Sequence, residues 1–212
     1  MSIANYLTFI RIFISPIFLF VFIEHDKIGI SSFLLPYVLI VLLGISELSD
    51  ALDGYLARKY NQVTDLGKIL DPMADSISRL SIFLTFTLDP IQVPMIFIFM
   101  FLYRDSVVST LRTICALRGY ALAARLSGKI KAVIQAIVAF IILLLMIPHS
   151  LGALSRENLH WISSWSVAVA AIYAIFSGIE YVWFNRTYIA KMLTIPAEPY
   201  IPSSDESTQE TI

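Results

Sequence analysis

The sequence predicts an all-α integral membrane protein with six transmembrane helices and with both termini in the cytoplasm. Of the 212 residues, 58% are hydrophobic and only 15% are charged, and the mean hydropathy is +0.77. A typical soluble domain has about 45–50% apolar and about 25% charged residues. Six long apolar segments and a one-sided distribution of Lys and Arg complete this prediction. The net charge of −1 gives no basic excess, so we expect no nucleic-acid partner.

Six segments are long and apolar enough to be spans, because a helix needs about 20 mostly apolar residues to cross a bilayer. The first segment lacks a small-residue cleavage site at its end, so we interpret it as a retained span rather than a signal peptide. The predicted spans cover residues 7–24, 33–50, 73–88, 92–112, 130–148 and 161–184.

The Lys and Arg residues give the orientation. With the N terminus inside, thirteen of the fifteen lie in or beside cytoplasmic segments, and only Lys27 and Arg156 lie in outside loops. Cytoplasmic loops carry the excess of Lys and Arg, so this pattern predicts an N-in, C-in topology. Residues 196–212 contain four acidic residues and no basic one, together with Ser, Thr and Pro. They predict a disordered cytoplasmic tail that follows a six-helix domain at residues 1–190.

Four aspartates lie where the second and third spans meet the cytoplasmic interface. Asp50 and Asp53 are three residues apart, and Asp71 and Asp75 are four apart, so each pair shares one helical face. The short connection Gly54–Leu70 makes the two helices antiparallel neighbours. Because charged groups inside spans are costly and usually functional, we expect the four carboxylates to converge on one site.

A divalent cation would remove the repulsion among these carboxylates. All-oxygen ligation favours Mg²⁺ or Mn²⁺, and four carboxylates suit two ions. Asp50, Asp53, Asp71 and Asp75 are therefore the candidate metal ligands. An interfacial or helix-capping role would explain Asp50 or Asp71 alone. It explains poorly why four aspartates occur as two pairs at helical spacing.

Small and basic residues beside the aspartates suit a diphosphate ligand. Gly54, Ala57 and Gly67 leave room for a ligand to approach the helix backbone, and Arg58 offers a planar fork for phosphate oxygens. Small residues also serve close helix packing, so their joint spacing carries more weight than any one of them.

These residues resemble a known signature. Eight positions spread over 26 residues match that of the CDP-alcohol phosphotransferases, and the N-terminal residues Asn5, Thr8, Arg11 and Pro16 are similar to that family's N-terminal motif. The likeness extends across most of the chain to Tyr188, and is greatest to the phosphatidylglycerophosphate synthase branch, although the fourth span carries Arg104-Asp105 where that branch usually has Arg-Glu. The matching pattern is Asp50-x2-Asp53-Gly54-x2-Ala57-Arg58-x8-Gly67-x3-Asp71-x3-Asp75.

The resemblance implies a six-helix enzyme, a homodimer, a site for two metal ions and CDP-diacylglycerol as donor. It implies transfer of the phosphatidyl group to an alcohol with release of CMP, with Asp75 as the general base. It also implies an integral protein of the bacterial inner membrane whose active site faces the cytoplasm. The residues assigned to CDP-diacylglycerol are Asn5, Thr8, Asp53, Gly54, Ala57, Arg58 and Gly67.

The acceptor expected for this branch is sn-glycerol 3-phosphate, whose second dianion needs basic side chains. Arg112, Lys129 and Lys131 lie near the inner ends of spans four and five, and Lys129 is favoured because Ser127 and Gly128 open the helix beside it. The same cations would also enforce topology or bind lipid headgroups. The alternatives are a cardiolipin synthase, an inositol-phosphate transferase and, from another class, a divalent-cation transporter. A transporter predicts mid-bilayer sites and repeated halves, which the sequence lacks.

Overall fold

Six α-helices make up the part of the chain that the structure describes. The computed structural model describes the backbone of residues 3–59, 65–117 and 125–194, and the side chains of residues 10–52, 73–115 and 125–190. No strand occurs within these ranges. The helices are α1 (Ile3–Glu24), α2 (Leu35–Lys59), α3 (Asp65–Thr85), α4 (Met95–Leu117), α5 (Leu126–Ser150) and α6 (Arg156–Thr194).

The all-helical prediction is confirmed, and each predicted span corresponds to one helix. A helix satisfies its own backbone hydrogen bonds, which a lipid-facing chain requires. By length and composition, three of the described helices are able to cross a membrane, at Leu35–Leu52, Leu126–Ser150 and Arg156–Ala190. α4 is not among them because its apolar stretch carries three charged residues, Arg104, Asp105 and Arg112, and only part of α1 and of α3 lies within the described side-chain ranges.

The helices pack as two groups of three. α1 packs against both α2 and α3, and α6 packs against both α4 and α5, while contacts of α2 with α5 and of α3 with α4 join the groups. Ala170, Ala171 and Ala174 of α6 are fully buried, so their small side chains let neighbouring helices approach closely. Many large apolar side chains, such as Phe13 and Ile172, remain exposed on the outer surface. A soluble protein would bury most of these side chains, whereas a surface that faces lipid exposes them.

The connection between α2 and α3 differs from the prediction. We expected it to run from Gly54 to Leu70, but α2 continues to Lys59 and α3 begins at Asp65. Apolarity marks only the part of a helix that lies in lipid, whereas these polar turns stay helical beyond it. Asp53 and Asp71 consequently lie on helical backbone. The predicted tail at residues 196–212 lies outside the described part of the chain.

Candidate active site

Two of the predicted aspartates meet on one arginine. Arg11 of α1 is 2% exposed, and its Nη1 donates to Oδ1 of Asp50 at 2.9 Å and to Oδ1 of Asp75. Asp50 belongs to α2 and Asp75 to α3. The structure thus brings one carboxylate from each helix to the same nitrogen, with the cation supplied by a third helix.

A second arginine borders this pair. Arg79 lies four residues after Asp75 on α3, and its Nη2 donates to Oε2 of Glu47 at 3.3 Å and lies 3.9 Å from Oδ2 of Asp50. Its Nη1 donates to the carbonyl oxygen of Ala132 on α5 at 3.0 Å. Arg79 therefore ties the carboxylate cluster to the second group of helices.

Buried hydroxyl groups hold the three helices together next to the cluster. Ser15 of α1 donates to Oγ of Ser78 on α3 at 3.0 Å, and the Oγ atoms of Ser46 on α2 and Ser78 are 3.3 Å apart. Small polar residues at helix contacts allow close approach and satisfy one another's hydrogen bonds. They fix the spacing at which Asp50 and Asp75 face each other.

The remaining residues predicted to bind metal or CDP-diacylglycerol lie beyond the described side chains. The backbone places Asp53 three residues after Asp50 in α2, and Asp71 four residues before Asp75 in α3. Gly54, Ala57 and Arg58 follow on α2, Gly67 precedes Asp71 on α3, and Asn5 and Thr8 lie in the first turns of α1.

The donor chemistry of the cluster fits a hard divalent cation. Asp50 and Asp75 supply carboxylate oxygens, which are the ligands that Mg²⁺ and Mn²⁺ prefer. Within the described side chains there is no group of three or more metal-ligating residues, since Asp53 and Asp71 are not among them. Their spacing of three and four residues from Asp50 and Asp75 is the basis on which the four-carboxylate metal site stays a prediction.

A cleft of about 240 Å³ opens beside the carboxylate cluster, among α3, α4 and α5. Positive side chains dominate its walls, and a concave cationic site of this kind suits an anionic ligand. All three predicted acceptor residues line it. The basic residues are Arg79, Arg104, Arg112, Arg125, Lys129 and Lys131, and the acidic ones are Asp75 and Asp105.

Four of these six cations are engaged by carboxylates. Lys131, which is 6% exposed, places Nζ at 2.8 and 3.0 Å from the two carboxylate oxygens of Asp105. Nη1 of Arg104 donates to the same carboxylate at 2.9 Å. Arg125 pairs with Glu180 of α6 at 3.0 Å, and Arg79 pairs with Glu47 as described above. The charge of Lys131 is therefore already compensated within the protein.

Arg112 and Lys129 differ from these four. Among the residues whose side chains are described, no carboxylate forms an ion pair with either of them. Lys129 is exposed and Arg112 is half-buried. These two predicted residues consequently retain positive charge for a ligand in the cleft.

Asp75 joins the two halves of the site. It contacts Arg11 in the carboxylate cluster and also lines the basic cleft. A ligand anion held by the cleft cations would therefore have a carboxylate beside it, as a general base requires.

Several site residues were missed by the sequence reasoning. The sequence analysis used Arg11, Arg79, Arg104 and Arg125 only as evidence for topology or for the N-terminal motif, and it gave Asp105 no role in the site. A signal for most of them existed, because Arg11, Arg79, Arg104 and Asp105 fall inside predicted spans, where ionisable groups are costly. Glu180 carries the same signal, because it lies within the predicted span 161–184, whereas Tyr181 carries none, since a tyrosine near the end of a span is ordinarily an interfacial residue.

Fold and site together define a helical membrane protein in which a carboxylate cluster opens onto a cationic cleft. The family model for CDP-alcohol phosphatidyltransferases matches residues 1–180. The chain therefore belongs to the CDP-alcohol phosphatidyltransferase family, as its resemblance to the signature indicated.

Two proteins named for the same activity are similar to this chain along nearly its whole length, and a third relative is similar over part of it. A CDP-diacylglycerol–glycerol-3-phosphate 3-phosphatidyltransferase of Bacillus subtilis (strain 168) is 31% identical over 198 residues, covering 89% of this chain and 96% of the relative. A protein of the same name from Rickettsia typhi is 31% identical over 189 residues, covering 88% and 98%. A CMP-forming cardiolipin synthase of Streptomyces coelicolor is 32% identical over 120 residues, covering 57% and 54%.

Proposed function

We propose that this protein transfers the phosphatidyl group of CDP-diacylglycerol to sn-glycerol 3-phosphate, giving phosphatidylglycerophosphate and CMP in phospholipid synthesis. The observation that carries the proposal is the position of Asp75, which lies both in the carboxylate cluster and on the wall of the basic cleft. Two cations of the cleft, Arg112 and Lys129, have no carboxylate partner among the described side chains and suit the acceptor's phosphate. The similar Bacillus and Rickettsia proteins are named for this activity.

The reaction is a displacement at phosphorus. The acceptor's primary hydroxyl oxygen forms a bond to the lipid-side phosphorus of CDP-diacylglycerol, and the bond from that phosphorus to the bridging oxygen breaks. CMP leaves with the bonding electron pair, and the hydroxyl proton passes to Oδ of Asp75. Arg112 and Lys129 hold the acceptor's phosphate, so that its hydroxyl lies beside Asp75.

The metal and the donor are assigned to the aspartate pattern. Family members are generally dependent on divalent cations. Bound by Asp50, Asp53, Asp71 and Asp75, two Mg²⁺ or Mn²⁺ ions would neutralise charge on the diphosphate. Arg58 binds phosphate oxygens as a bidentate fork, and Gly54, Ala57 and Gly67 leave room for the nucleotide. Asn5 and Thr8 complete the donor site at the start of α1.

The cellular arrangement follows from the charge distribution. We propose six spans with both termini in the cytoplasm of a bacterium, an active site on the cytoplasmic face of the inner membrane, and a homodimer. The support is the excess of Lys and Arg on one side and the six helices, together with the family resemblance.

The test is CMP release by the purified protein in detergent–lipid micelles with CDP-diacylglycerol and Mg²⁺ or Mn²⁺. The acceptors compared are sn-glycerol 3-phosphate, phosphatidylglycerol, inositol 1-phosphate and plain glycerol. We expect release with sn-glycerol 3-phosphate to exceed release with each other acceptor by at least tenfold, and glycerol to show how much depends on the phosphate. A preference for phosphatidylglycerol would identify a cardiolipin synthase instead, and no release with any acceptor would refute the transferase assignment.

A further inference from the structure

Two arginines of the basic cleft rest on the inner end of α6, a helix that does not itself line the cleft. Arg112 of α4 contacts Tyr181, and Arg125 contacts Glu180 and Phe184. These three residues lie within five positions of one another on α6, so a single helical turn supports cations from two other elements. We call Glu180, Tyr181 and Phe184 the α6 support.

Tyr181 makes the contact that matters most for the unpaired cation. Its phenol oxygen accepts a hydrogen bond from Nε of Arg112 at 3.4 Å, and Cζ of Arg112 lies 5.3 Å from the centre of its ring. The hydrogen bond and the cation–π contact together restrain the guanidinium without neutralising its charge. By contrast, Arg125 is both neutralised by Glu180 at 3.0 Å and stacked on Phe184, with Cζ 3.6 Å from the ring centre.

The side chain of Tyr181 is held in one position by burial, as the positioning of Arg112 requires. It is 2% exposed and is among the largest fully buried side chains. A buried ring has few rotamers available, so the phenol oxygen stays at one position relative to α4. Arg112 lines the cleft, and with Nε occupied by Tyr181 its two terminal amino groups remain as donors for a ligand. A planar fork of this kind suits two phosphate oxygens.

From this geometry we infer that Tyr181 is a positioning residue for acceptor binding. It holds the guanidinium of Arg112 at the cleft wall so that Arg112 binds the phosphate of the acceptor. The inference rests on the proposed function, and it adds a residue of α6 to a site whose other proposed residues lie on α1 to α5. It predicts that the effect of Tyr181 is transmitted through Arg112 alone.

The test compares wild type, Tyr181→Phe, Arg112→Gln and the double variant by steady-state kinetics. Tyr181→Phe keeps the ring and removes only the hydrogen-bond acceptor. We expect the KM for sn-glycerol 3-phosphate to rise about three- to tenfold, with kcat and the KM for CDP-diacylglycerol within twofold of wild type. In the Arg112→Gln background, adding Tyr181→Phe is expected to leave the acceptor KM unchanged, because the group that Tyr181 positions is gone.

Tyr173→Phe is the matched control, since Tyr173 is a partly exposed phenol two turns earlier on α6 that contacts the ring of Phe176 and does not line the cleft. We expect it to leave all three constants unchanged. KM is independent of the fraction of molecules that fold, so a lower yield of Tyr181→Phe does not affect the comparison of KM values.

An unchanged acceptor KM in Tyr181→Phe, or an equal rise in both backgrounds, would overturn the inference. Failure of the proposed function would look different, because wild type itself would then show no CMP release with sn-glycerol 3-phosphate. An increase in the donor KM as large as that for the acceptor would indicate a general structural role of Tyr181, and would also refute the inference.

Discussion

Asp75 lies between the buried Arg11, with which it forms an ion pair, and the open cleft, which it lines. This position distinguishes it from Asp50, which contacts Arg11 but does not line the cleft. Of Asp50 and Asp75, only Asp75 lines the cleft and is therefore within reach of a proton on a molecule there.

Asp75→Asn keeps the size of the side chain and removes its capacity to accept a proton. We expect kcat to fall by about 10²–10⁴-fold, the usual contribution of a positioned base. Binding of CDP-diacylglycerol is expected to survive because three other carboxylates remain for the metal, whereas Asp71→Asn is expected to weaken metal and donor binding together. The measurement is donor affinity beside kcat for both variants at saturating Mn²⁺. Loss of donor binding in Asp75→Asn as complete as in Asp71→Asn would identify Asp75 chiefly as a ligand.

Lys129 and Lys131 lie two residues apart on α5 and are expected to respond differently to truncation. Lys129 is exposed and has no carboxylate partner among the described residues, so Lys129→Ala is expected to raise the acceptor KM and leave the thermal midpoint unchanged. Lys131 is buried against Asp105, so Lys131→Ala is expected to lower the free energy of unfolding by about 1–3 kcal/mol. Acceptor titrations and thermal unfolding in detergent check both. Equal kinetic and stability effects in the two variants would contradict this division.

At the scale of the helices, the contact between α4 and α6 depends on a glycine. A Cβ atom at Gly178 would lie 2.9 Å from Cγ of Arg104, closer than side chains tolerate. The absence of a side chain there lets Arg104 lie against α6, where its Nε donates to Ser177 at 3.1 Å. From this position the guanidinium of Arg104 donates to the carboxylate of Asp105 and lines the cleft.

Gly178→Ala is expected to displace Arg104 and thereby widen the contact between α4 and α6. We expect a loss of about 1–3 kcal/mol of unfolding free energy, the usual cost of overpacking, and a higher acceptor KM. Gly44→Ala in α2 is the control, because no atom lies within 4 Å of its Cβ position, and better helix propensity should make it neutral or slightly stabilising. Thermal unfolding of both variants gives the answer. A Gly178→Ala variant as stable as Gly44→Ala would show that Arg104 moves aside at no cost.

The six helices were predictable from the sequence, but the side-chain contacts between different helices were not. Apolar segments of sufficient length give six helices because lipid leaves the backbone no other partner. Their true ends were not predictable, since α2 and α6 continue into polar sequence at Lys59 and Thr194. The aspartates were identifiable as charges that do not belong in a membrane. The pairing of Arg112 with Tyr181 depends on how α4 packs on α6, which no local pattern encodes.

For the molecule as a whole, the charge distribution predicts which loops face the cytoplasm. In a Cys115→Ser background, which removes the buried native thiol, a membrane-impermeant maleimide is expected to label Ser32→Cys in intact cells. Ser207→Cys in the acidic tail is expected to react only after permeabilisation. The Cys115→Ser parent, without any cysteine, gives the background. Labelling in the reverse order would refute the N-in, C-in topology.

Arg11 precedes its two carboxylate partners along the chain by 39 and 64 residues, and this order bears on how the protein is made. Chains emerge from the ribosome N terminus first, so α1 is available before either aspartate has been synthesised. A carboxylate entering the bilayer alone is costly, and one that meets a cation already there is less so. We therefore expect the guanidinium of Arg11 to lower the insertion cost first of Asp50 with α2 and then of Asp75 with α3.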